Sequence, residues 1–198
     1  MSDPERWQER YHLKNTPWDT GRPDANLINI VTERPVRSCK CMEIGCGLGR
    51  NAIWLAQHNF KVTGVDISEI AIGKAIQNAS DAQVTCDFIV ADFLNEKISN
   101  RPFEFVFDRG CFHSFDSDED RRKFAQNAAD HLDKQGLWLS FLGSTDDPPR
   151  DIGPPRRSAL DIVTATEPFF EILCLKAIYF DSNRPSPPRA WSCMMKKR

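Results

Sequence analysis

Residues 41–50, C-M-E-I-G-C-G-L-G-R, have the residue types and spacing of a nucleotide-binding turn. An apolar strand ends here, and a helix is predicted over residues 51–58. Three glycines occupy alternate positions between them: Gly45, Gly47 and Gly49. Glycine permits positive φ and close approach of a ligand to the backbone, and the helix start offers unpaired N–H groups. The pattern predicts a site for a nucleotide-containing cofactor, with Cys46 of the turn among the residues that line it.

Acidic residues beside this turn indicate which cofactor it binds. Asp66 ends the next predicted strand, about 20 residues past the first glycine, where a ribose-binding acid is expected. Dinucleotides favour the spacing G-x-G-x-x-G, whereas this chain has G-x-G-x-G preceded by Glu43. A carboxylate repels a pyrophosphate but suits the cationic amino acid portion of S-adenosyl-L-methionine. We therefore predict that methyl donor, with S-adenosyl-L-homocysteine as its product, rather than a nicotinamide cofactor.

Four successive predicted strands end in carboxylates: Glu43, Asp66, Asp92 and Asp108. Ligands of open α/β sheets bind outside the carboxyl ends of the strands, so we expect these side chains to line the cofactor. Asp66 and the adjacent Ile67 are expected at the ribose. Asp92 is expected to accept from the adenine amine, with Phe93 against the adenine ring. Asp108 is expected where the methionine portion meets the methyl acceptor.

The candidate catalytic residues are Asp108 and His113, which follow the fourth strand. The ordinary pKa of histidine lies near neutrality, so His113 could act as a general base; orienting the substrate or capping the turn is an equal alternative. Trp18 is predicted to shield the sulfonium as part of a lid, with simple packing as the alternative. The candidate substrate contacts, besides His113, are Trp18, Arg22 and Arg156. For Arg156, which follows a proline-rich loop at residues 146–155, a solvated loop face is the alternative.

Strand and helix signals alternate from about residue 39 onward, which predicts a Rossmann-like, doubly wound α/β fold. The seven predicted strands are residues 39–44, 61–65, 87–91, 103–107, 136–142, 170–180 and 190–196. One predicted helix follows Ser68 and has an apolar face made of Ala71, Ile72, Ala75, Ile76 and Ala79; another spans residues 118–132. The nine residues before the last strand allow a hairpin but no crossover helix. The sheet should be mostly parallel, with an antiparallel C-terminal hairpin and helices on both faces.

The chain has 198 residues, 40% hydrophobic and 27% charged, which fits one globular domain. We assign residues 1–36 to a lid and leading helix, and residues 37–198 to the sheet domain. The net charge of −2 gives no reason to expect a nucleic-acid partner. The polar N-terminus and the short apolar runs predict neither a signal peptide nor a membrane span.

The seven cysteines contain no C-x-x-C pair and are predicted to be buried, reduced thiols, with no metal site. A cytoplasmic monomer or homodimer that acts on a small molecule is expected.

Three segments carry a family resemblance: T-P-W-D-T-G-R-P at 16–23, E-I-G-C-G-L-G-R-N-A at 43–52, and V-T-G-V-D-I-S at 62–68. They resemble small-molecule class I methyltransferases of the thiopurine/thiol methyltransferase and tellurite-resistance type. The resemblance covers most of the chain from Trp7 onward. It implies that Trp18 and the glycine turn flank the methionine portion of the donor, Asp66 the ribose, and Asp92 with Phe93 the adenine.

The predicted reaction is methyl transfer from S-adenosyl-L-methionine to a small nucleophile, with sulfur, nitrogen, oxygen or a metalloid as the acceptor. A methyltransferase of protein side chains is the nearest alternative, since a single sequence leaves a protein-binding groove open. A non-catalytic module that binds the methyl donor and an NAD-dependent oxidoreductase are the remaining alternatives. The glycine spacing argues against the oxidoreductase.

Overall fold

The computed structural model describes residues 3–33, 36–99, 102–149 and 153–198. It divides into two compact units, an N-terminal unit that ends at Ile98 and a C-terminal unit that begins at Ser99. The described residues contain six α-helices and eight strands. Residues 150–152 of the predicted proline-rich loop, and the first two residues of the chain, lie outside the described residues.

Three parallel strands form the sheet of the N-terminal unit: β1 (Lys40–Ile44), β2 (Lys61–Asp66) and β3 (Asp87–Val90). β2 lies in the middle, with Met42 opposite Thr63 on one side and Ile89 opposite Val65 on the other. The side chains of β1 and β2 are buried along nearly their whole length, as expected for parallel strands covered on both faces. The three strands match the predicted ones to within one residue at each end.

Four helices belong to the same unit: α1 (Pro4–His12), α2 (Ala25–Glu33), α3 (Arg50–Gln57) and α4 (Glu69–Asp81). Ser68 caps α4 as predicted, because its hydroxyl accepts the backbone N–H of Ala71 at 3.2 Å. The predicted apolar face of α4 is buried except for Ile76, which is 53% exposed, so that assignment was wrong. Ile76 follows Ile72 by four residues and is rotated from it by about 40° around the helix axis, which places Ile76 just beyond the edge of the buried face.

Five strands form the sheet of the C-terminal unit: β4 (Phe103–Arg109), β5 (Leu132–Ser144), β6 (Arg156–Arg157), β7 (Phe170–Tyr179) and β8 (Arg189–Lys197). β4 and β6 pair in parallel with β5, whereas β8 runs antiparallel between β5 and β7. The predicted antiparallel C-terminal hairpin is therefore confirmed. Two helices, α5 (Asp118–His131) and α6 (Ala159–Thr166), and a 3₁₀ turn at Phe112–Ser114 complete the unit.

Aromatic rings fill the core of the C-terminal unit. Trp138 of β5 is fully buried and lies 5.4, 5.8 and 5.2 Å, between ring centroids, from Phe112, Phe124 and Phe170. Aromatic pairs at such separations contribute roughly 0.5–1.5 kcal/mol beyond the burial of their surface. The turn after β4, helix α5 and strand β7 are thus all packed on one side chain of β5.

The strand β6 and the helix α6 of the C-terminal unit were not predicted. β6 lies against β5 at Gly143, where an added Cβ would come within 2.3 Å of the carbonyl oxygen of Pro155. Helix α6 begins with a capping box between Ser158 and Asp161. β5 begins at Leu132 directly after α5, four residues before the predicted start at Gly136.

The predicted burial of the cysteines is only partly confirmed. Cys41, Cys46 and Cys193 are buried, but Cys174 is exposed. Cys174 is exposed because it lies on β7, a strand that pairs with β8 and with no other strand of its unit. Among the described residues, none of the helices combines the length and the apolar character that a membrane crossing needs.

The two isoleucines of α4 provide a test of how this helix packs. Ile72→Ala should lower the free energy of unfolding by about 2–4 kcal/mol, because it leaves a cavity in the core. Ile76→Ala should change it by less than about 0.5 kcal/mol, because the side chain is exposed and alanine favours helix. Urea unfolding followed by circular dichroism measures both values, and equal losses would show that α4 packs with a different face.

Candidate functional site

The turn between β1 and α3 has backbone conformations that favour glycine. Gly45, Gly47 and Gly49 have φ values of 67°, 54° and 75°. An added Cβ on Gly49 would lie 3.0 Å from the ring of Phe88, and one on Gly47 would lie 2.8 Å from the hydroxyl oxygen of Tyr11. Side chains at these positions would require both a strained backbone and displaced neighbours. The turn therefore presents bare backbone at the start of α3, as the sequence predicted.

The carboxylate of Asp66 connects this turn to the end of β2. One oxygen accepts the backbone N–H of Gly47 at 2.9 Å, and the other accepts that of Ser68 at 2.9 Å. Burial raises the pKa of Asp66, although the hydrogen bonds from Ser68, Gly47 and Ile67 oppose the shift. The side chain is 8% exposed. Each carboxylate oxygen can accept a further hydrogen bond, so Asp66 can serve the turn and a ligand hydroxyl together.

Glu43 lies at the base of the turn and is 1% exposed. Its Oε1 accepts the side-chain amide of Asn51 at 2.8 Å, and Oδ1 of Asn51 accepts the backbone N–H of Asp24 at 2.8 Å. Asn51 thus joins the acidic end of β1 to the segment before α2. Cys46 is buried in the turn, and burial followed by the charge of Asp66 raises its pKa well above the ordinary value. Its thiol stays protonated, and its side chain packs inside the unit.

Helix α1 covers the glycine turn. The Tyr11 hydroxyl lies against Gly47, where an added Cβ would come within 2.8 Å of its oxygen. The Trp18 ring meets those of Tyr11 and Trp7 edge-on at centroid distances of 5.9 and 5.4 Å, and the guanidinium of Arg10 lies 4.4 Å from its centroid. Burial, and next the charge of Asp66, raise the pKa of Tyr11 well above its ordinary value, so the phenol remains a donor.

Three residues of this arrangement were missed from the sequence: Gln8, Tyr11 and Asn51. Oε1 of Gln8 accepts the Ser68 hydroxyl at 2.6 Å and the Ile70 backbone N–H at 3.3 Å, which attaches α1 to the start of α4. Trp7 and Tyr11 are four residues apart and therefore share one helix face. That spacing was the available signal for Tyr11. The contacts of Gln8 and Asn51 join elements distant in sequence and have no local signal.

The predicted adenine-side residues follow β3. The backbone N–H of Ala91 donates to the carbonyl of Asp66 at 3.0 Å, which places Asp92 and Phe93 beside the end of β2. Asp92 is half-buried, and its carboxylate accepts the backbone N–H of Leu94 and the side-chain amide of Asn95 at 2.9 and 2.7 Å. Phe93 is 5% exposed. Ile67 is half-buried at the end of β2, whereas Arg22 is exposed in the turn after Asp19.

Asp108 in the C-terminal unit is 0% exposed and has a structural position. One carboxylate oxygen accepts the backbone N–H groups of Phe112 and Cys111 at 3.0 and 3.3 Å, and the other accepts the indole N–H of Trp138 at 3.0 Å. Burial raises its pKa to about 6. These three hydrogen bonds hold the turn after β4 in place. A contact of Asp108 with the cofactor or the acceptor stays a prediction.

His113 is also buried, and its ring nitrogens have different surroundings. Nδ1 accepts the backbone N–H of Gly143 at 2.8 Å, so the proton of the neutral ring lies on Nε2. An added Cβ on Gly110, where φ is 80°, would lie 3.1 Å from Nε2. Burial, together with the charges of Arg157 and Arg109, lowers the pKa of His113 to about 3. Because its lone pair is occupied, the geometry favours the orienting alternative for His113 over a general base.

The arginines that follow the proline-rich loop differ in their surroundings. Arg156 is exposed, and its guanidinium donates to the carbonyl of Asp147 at 2.8 Å. The side chain of Arg157 is only 12% exposed, and its Nη2 donates to the carbonyl of Phe115 at 2.9 Å and to the carboxylate of Asp116 at 2.7 Å. The structure therefore joins Arg157, rather than the predicted Arg156, to the loop that holds His113.

Comparisons with known proteins identify the class of this chain. A family model described as a methyltransferase domain matches residues 41–136. An uncharacterized methyltransferase of Schizosaccharomyces pombe, C977.03, is 38% identical over 101 residues, which are 50% of this chain and 70% of that protein. Thiocyanate methyltransferase 1 of Brassica oleracea is 26% identical over 179 residues, 89% of this chain and 76% of that one.

One solved structure is similar to this chain with a TM-score of 0.81 and 21% sequence identity. It comes from work on the conversion of a disulfide bond into a thioacetal group during echinomycin biosynthesis. The match covers 91% of this chain and 85% of that one. The chain belongs to the class I S-adenosylmethionine-dependent methyltransferases and is an enzyme of that family. The predicted family, enzyme class and Rossmann-like fold class are confirmed.

Asp108→Asn tests the buried carboxylate through its pH dependence. The pKa of Asp108 in the folded chain, about 6, lies above that of the unfolded chain. The folded protein therefore gains stability as the pH falls from about 7.5 to 4.5 and loses it again as the pH rises through about 6. The Asn variant does not titrate at this position, so the free energy of unfolding of the wild type should rise relative to it by about 2 kcal/mol between pH 7.5 and pH 4.5. Denaturant unfolding at both pH values measures the difference, which would be constant if Asp108 did not titrate.

Proposed function

We propose that this chain transfers the methyl group of S-adenosyl-L-methionine to a small-molecule sulfur nucleophile. The observation that carries the proposal is the contact between the Asp66 carboxylate and the backbone N–H of Gly47 at 2.9 Å. It joins a ribose-type acid to a glycine turn with no room for side chains. When bound, S-adenosyl-L-methionine supplies a methyl group that is already activated for displacement.

The residues of the N-terminal unit fit that methyl donor. The turn at Gly45–Gly49 has positive φ at each glycine and offers backbone to the methionine portion. Glu43, 1% exposed beneath the turn, supplies a negative charge that favours an ammonium or a sulfonium and disfavours a pyrophosphate. Asp66 would accept the ribose hydroxyls, with Ile67 beside it. Asp92 and Phe93, next to the end of β2, would bind the adenine.

The lid assigned to residues 1–36 takes a definite form in this proposal. Tyr11 lies against Gly47 of the turn, Trp18 packs against Tyr11, and Gln8 attaches α1 to the N-terminus of α4. The protonated Tyr11 hydroxyl can donate to the carboxylate of the methionine portion. Trp18 would exclude water from the reacting atoms, and its ring face suits a positive charge.

The protonation state and tautomer of the His113 imidazole favour sulfur over oxygen as the methyl acceptor. A neutral imidazole with Nδ1 occupied cannot remove a proton from a hydroxyl group. A thiol ionises near pH 8.5 without assistance, and the thiolate is the nucleophilic form. The Nε2–H of His113 would instead orient the acceptor, and most of the acceleration would come from positioning, which can provide roughly 7–11 kcal/mol. The name of the thiocyanate methyltransferase relative also supports a sulfur acceptor.

Calorimetry with S-adenosyl-L-homocysteine tests the cofactor part of the proposal. The wild type should bind this product, and Asp66→Asn should weaken binding more than tenfold, because it removes the charge that accepts the ribose hydroxyls. Asp81→Asn, which alters an exposed carboxylate at the end of α4, is the matched control and should bind as the wild type does. Unchanged affinity in a folded Asp66→Asn variant would remove Asp66 from the site, and absence of wild-type binding would end the proposal.

A methyl-release assay tests the acceptor part. Thiols and thiocyanate should be methylated faster than phenols, heteroaromatic amines or tellurite at pH 8, with the rate rising as the thiol ionises. Preference for phenols, or for a protein substrate alone, would contradict a small sulfur acceptor. The same assay on His113→Gln should show reduced kcat/KM for thiols with unchanged affinity for S-adenosyl-L-homocysteine.

A further inference from the structure

Two arginines of the C-terminal unit converge on one backbone carbonyl. Arg121 of α5 and Arg157 of β6 each donate to the carbonyl oxygen of Phe115 at 2.9 Å. Their side chains are 5% and 12% exposed. Guanidinium groups are rarely buried to this degree unless they have a defined set of acceptors. Phe115 closes the loop between β4 and α5, which contains His113, so both arginines restrain the segment that we place at the methyl acceptor.

The two arginines hold this carbonyl in different ways. Arg121 lies six residues from Phe115 and also bonds the Asp116 carbonyl and the Asp118 carboxylate, so it shapes the start of its own helix. Arg157 comes from 42 residues further along the chain. Its own carbonyl accepts the Thr145 backbone N–H and the Trp191 indole N–H, both at 3.1 Å. Arg157 therefore links the loop after β4 to β5 and β8.

The charge of Arg157 also acts on His113. Arg157 and Arg109 are the two charges that, after burial, lower the pKa of this imidazole. Arg109 stacks over Phe180 at 5.1 Å, and Phe180 meets the His113 ring edge-on at 6.0 Å. The ring accepts the backbone N–H of Gly143 through Nδ1, which leaves the proton of the neutral imidazole on Nε2. The neutral ring therefore presents one donor, and its position depends on the loop that Arg157 holds.

We propose that Arg157 is a positioning residue for the methyl acceptor, because it fixes the loop after β4 and through it the Nε2–H of His113. This inference rests on the proposed function. Arg156 takes no part in holding the loop after β4 in this proposal, because its guanidinium is exposed and donates to the Asp147 carbonyl.

Removal of Arg157 should leave the fold intact. The Asp116 side chain is 92% exposed, so loss of its ion pair leaves a solvated carboxylate rather than a buried charge. The Phe115 carbonyl keeps its bond from Arg121. We therefore expect the variant to stay folded while the loop after β4 moves more freely. A loss of activity can then be distinguished from a loss of stability.

The test compares Arg157→Gln with Arg157→Lys and a matched control, Arg198→Gln. Arg198 likewise bridges backbone carbonyls and a carboxylate, those of Glu167 and Phe170, but it holds the end of α6 and not the loop after β4. Arg157→Gln should lower kcat/KM for a thiol acceptor at least tenfold, with the Kd for S-adenosyl-L-homocysteine within twofold of wild type. Arg198→Gln should change neither value more than twofold. Arg157→Lys retains the charge but not the planar fork, so its kcat/KM should also fall.

Nitrogen-15 NMR of His113 provides a readout that is independent of turnover. The wild-type ring should show a neutral Nε2–H tautomer, and Arg157→Gln should shift its resonances and raise its titration midpoint, whereas Arg157→Lys should keep that midpoint. Unchanged His113 resonances in Arg157→Gln would overturn the proposal, as would a kcat/KM within twofold of wild type or a parallel loss of affinity for S-adenosyl-L-homocysteine. If the wild type bound no S-adenosyl-L-homocysteine, the proposed function would fail, and these resonances alone would decide whether Arg157 positions His113.

Discussion

The hydrogen bonds that Asp66 accepts from Gly47 and Ser68 are the constraint on which the N-terminal unit depends. A carboxylate this deeply buried is stable only when N–H groups compensate for its lost hydration. Here those groups come from the glycine turn and from the cap of α4. The Ser68 hydroxyl in turn donates to Gln8, a residue of α1, and so attaches α1 to the start of α4. One charge thereby determines where the turn, the helix start and the covering helix lie.

Asp108 is also a buried carboxylate whose lost hydration is compensated by N–H groups, but the groups that surround it are different. It also follows a parallel strand and accepts N–H groups from the next turn, but its second oxygen is taken by the indole of Trp138. Asp66 keeps a small exposed area, whereas Asp108 has none. The two acids near the ends of their strands therefore differ in surroundings, because the indole of Trp138 occupies one oxygen of Asp108 whereas both oxygens of Asp66 accept backbone N–H groups.

The features that were predictable from the sequence are those with a local pattern. The alternating glycines, the capping serine of α4 and the short hairpin connection each specify their structure within a few residues, and the structure contains all three. Features that depend on distant partners were not predictable. The burial of Asp108 requires Trp138, thirty residues later, and the tautomer of His113 requires the N–H of Gly143, also thirty residues later. Periodicity likewise could not show that Ile76 falls just outside the buried face of its helix.

The close contact between Gly143 and the carbonyl of Pro155 limits how this scaffold can vary. The chain leaves β5 after Ser144 and returns at β6, so the contact ties the base of the intervening excursion to the sheet. An insertion next to Pro155 would separate the two strands, because it would move the backbone that lies against Gly143. A side chain at position 143 would have to displace this backbone, so the strand pairing requires glycine there.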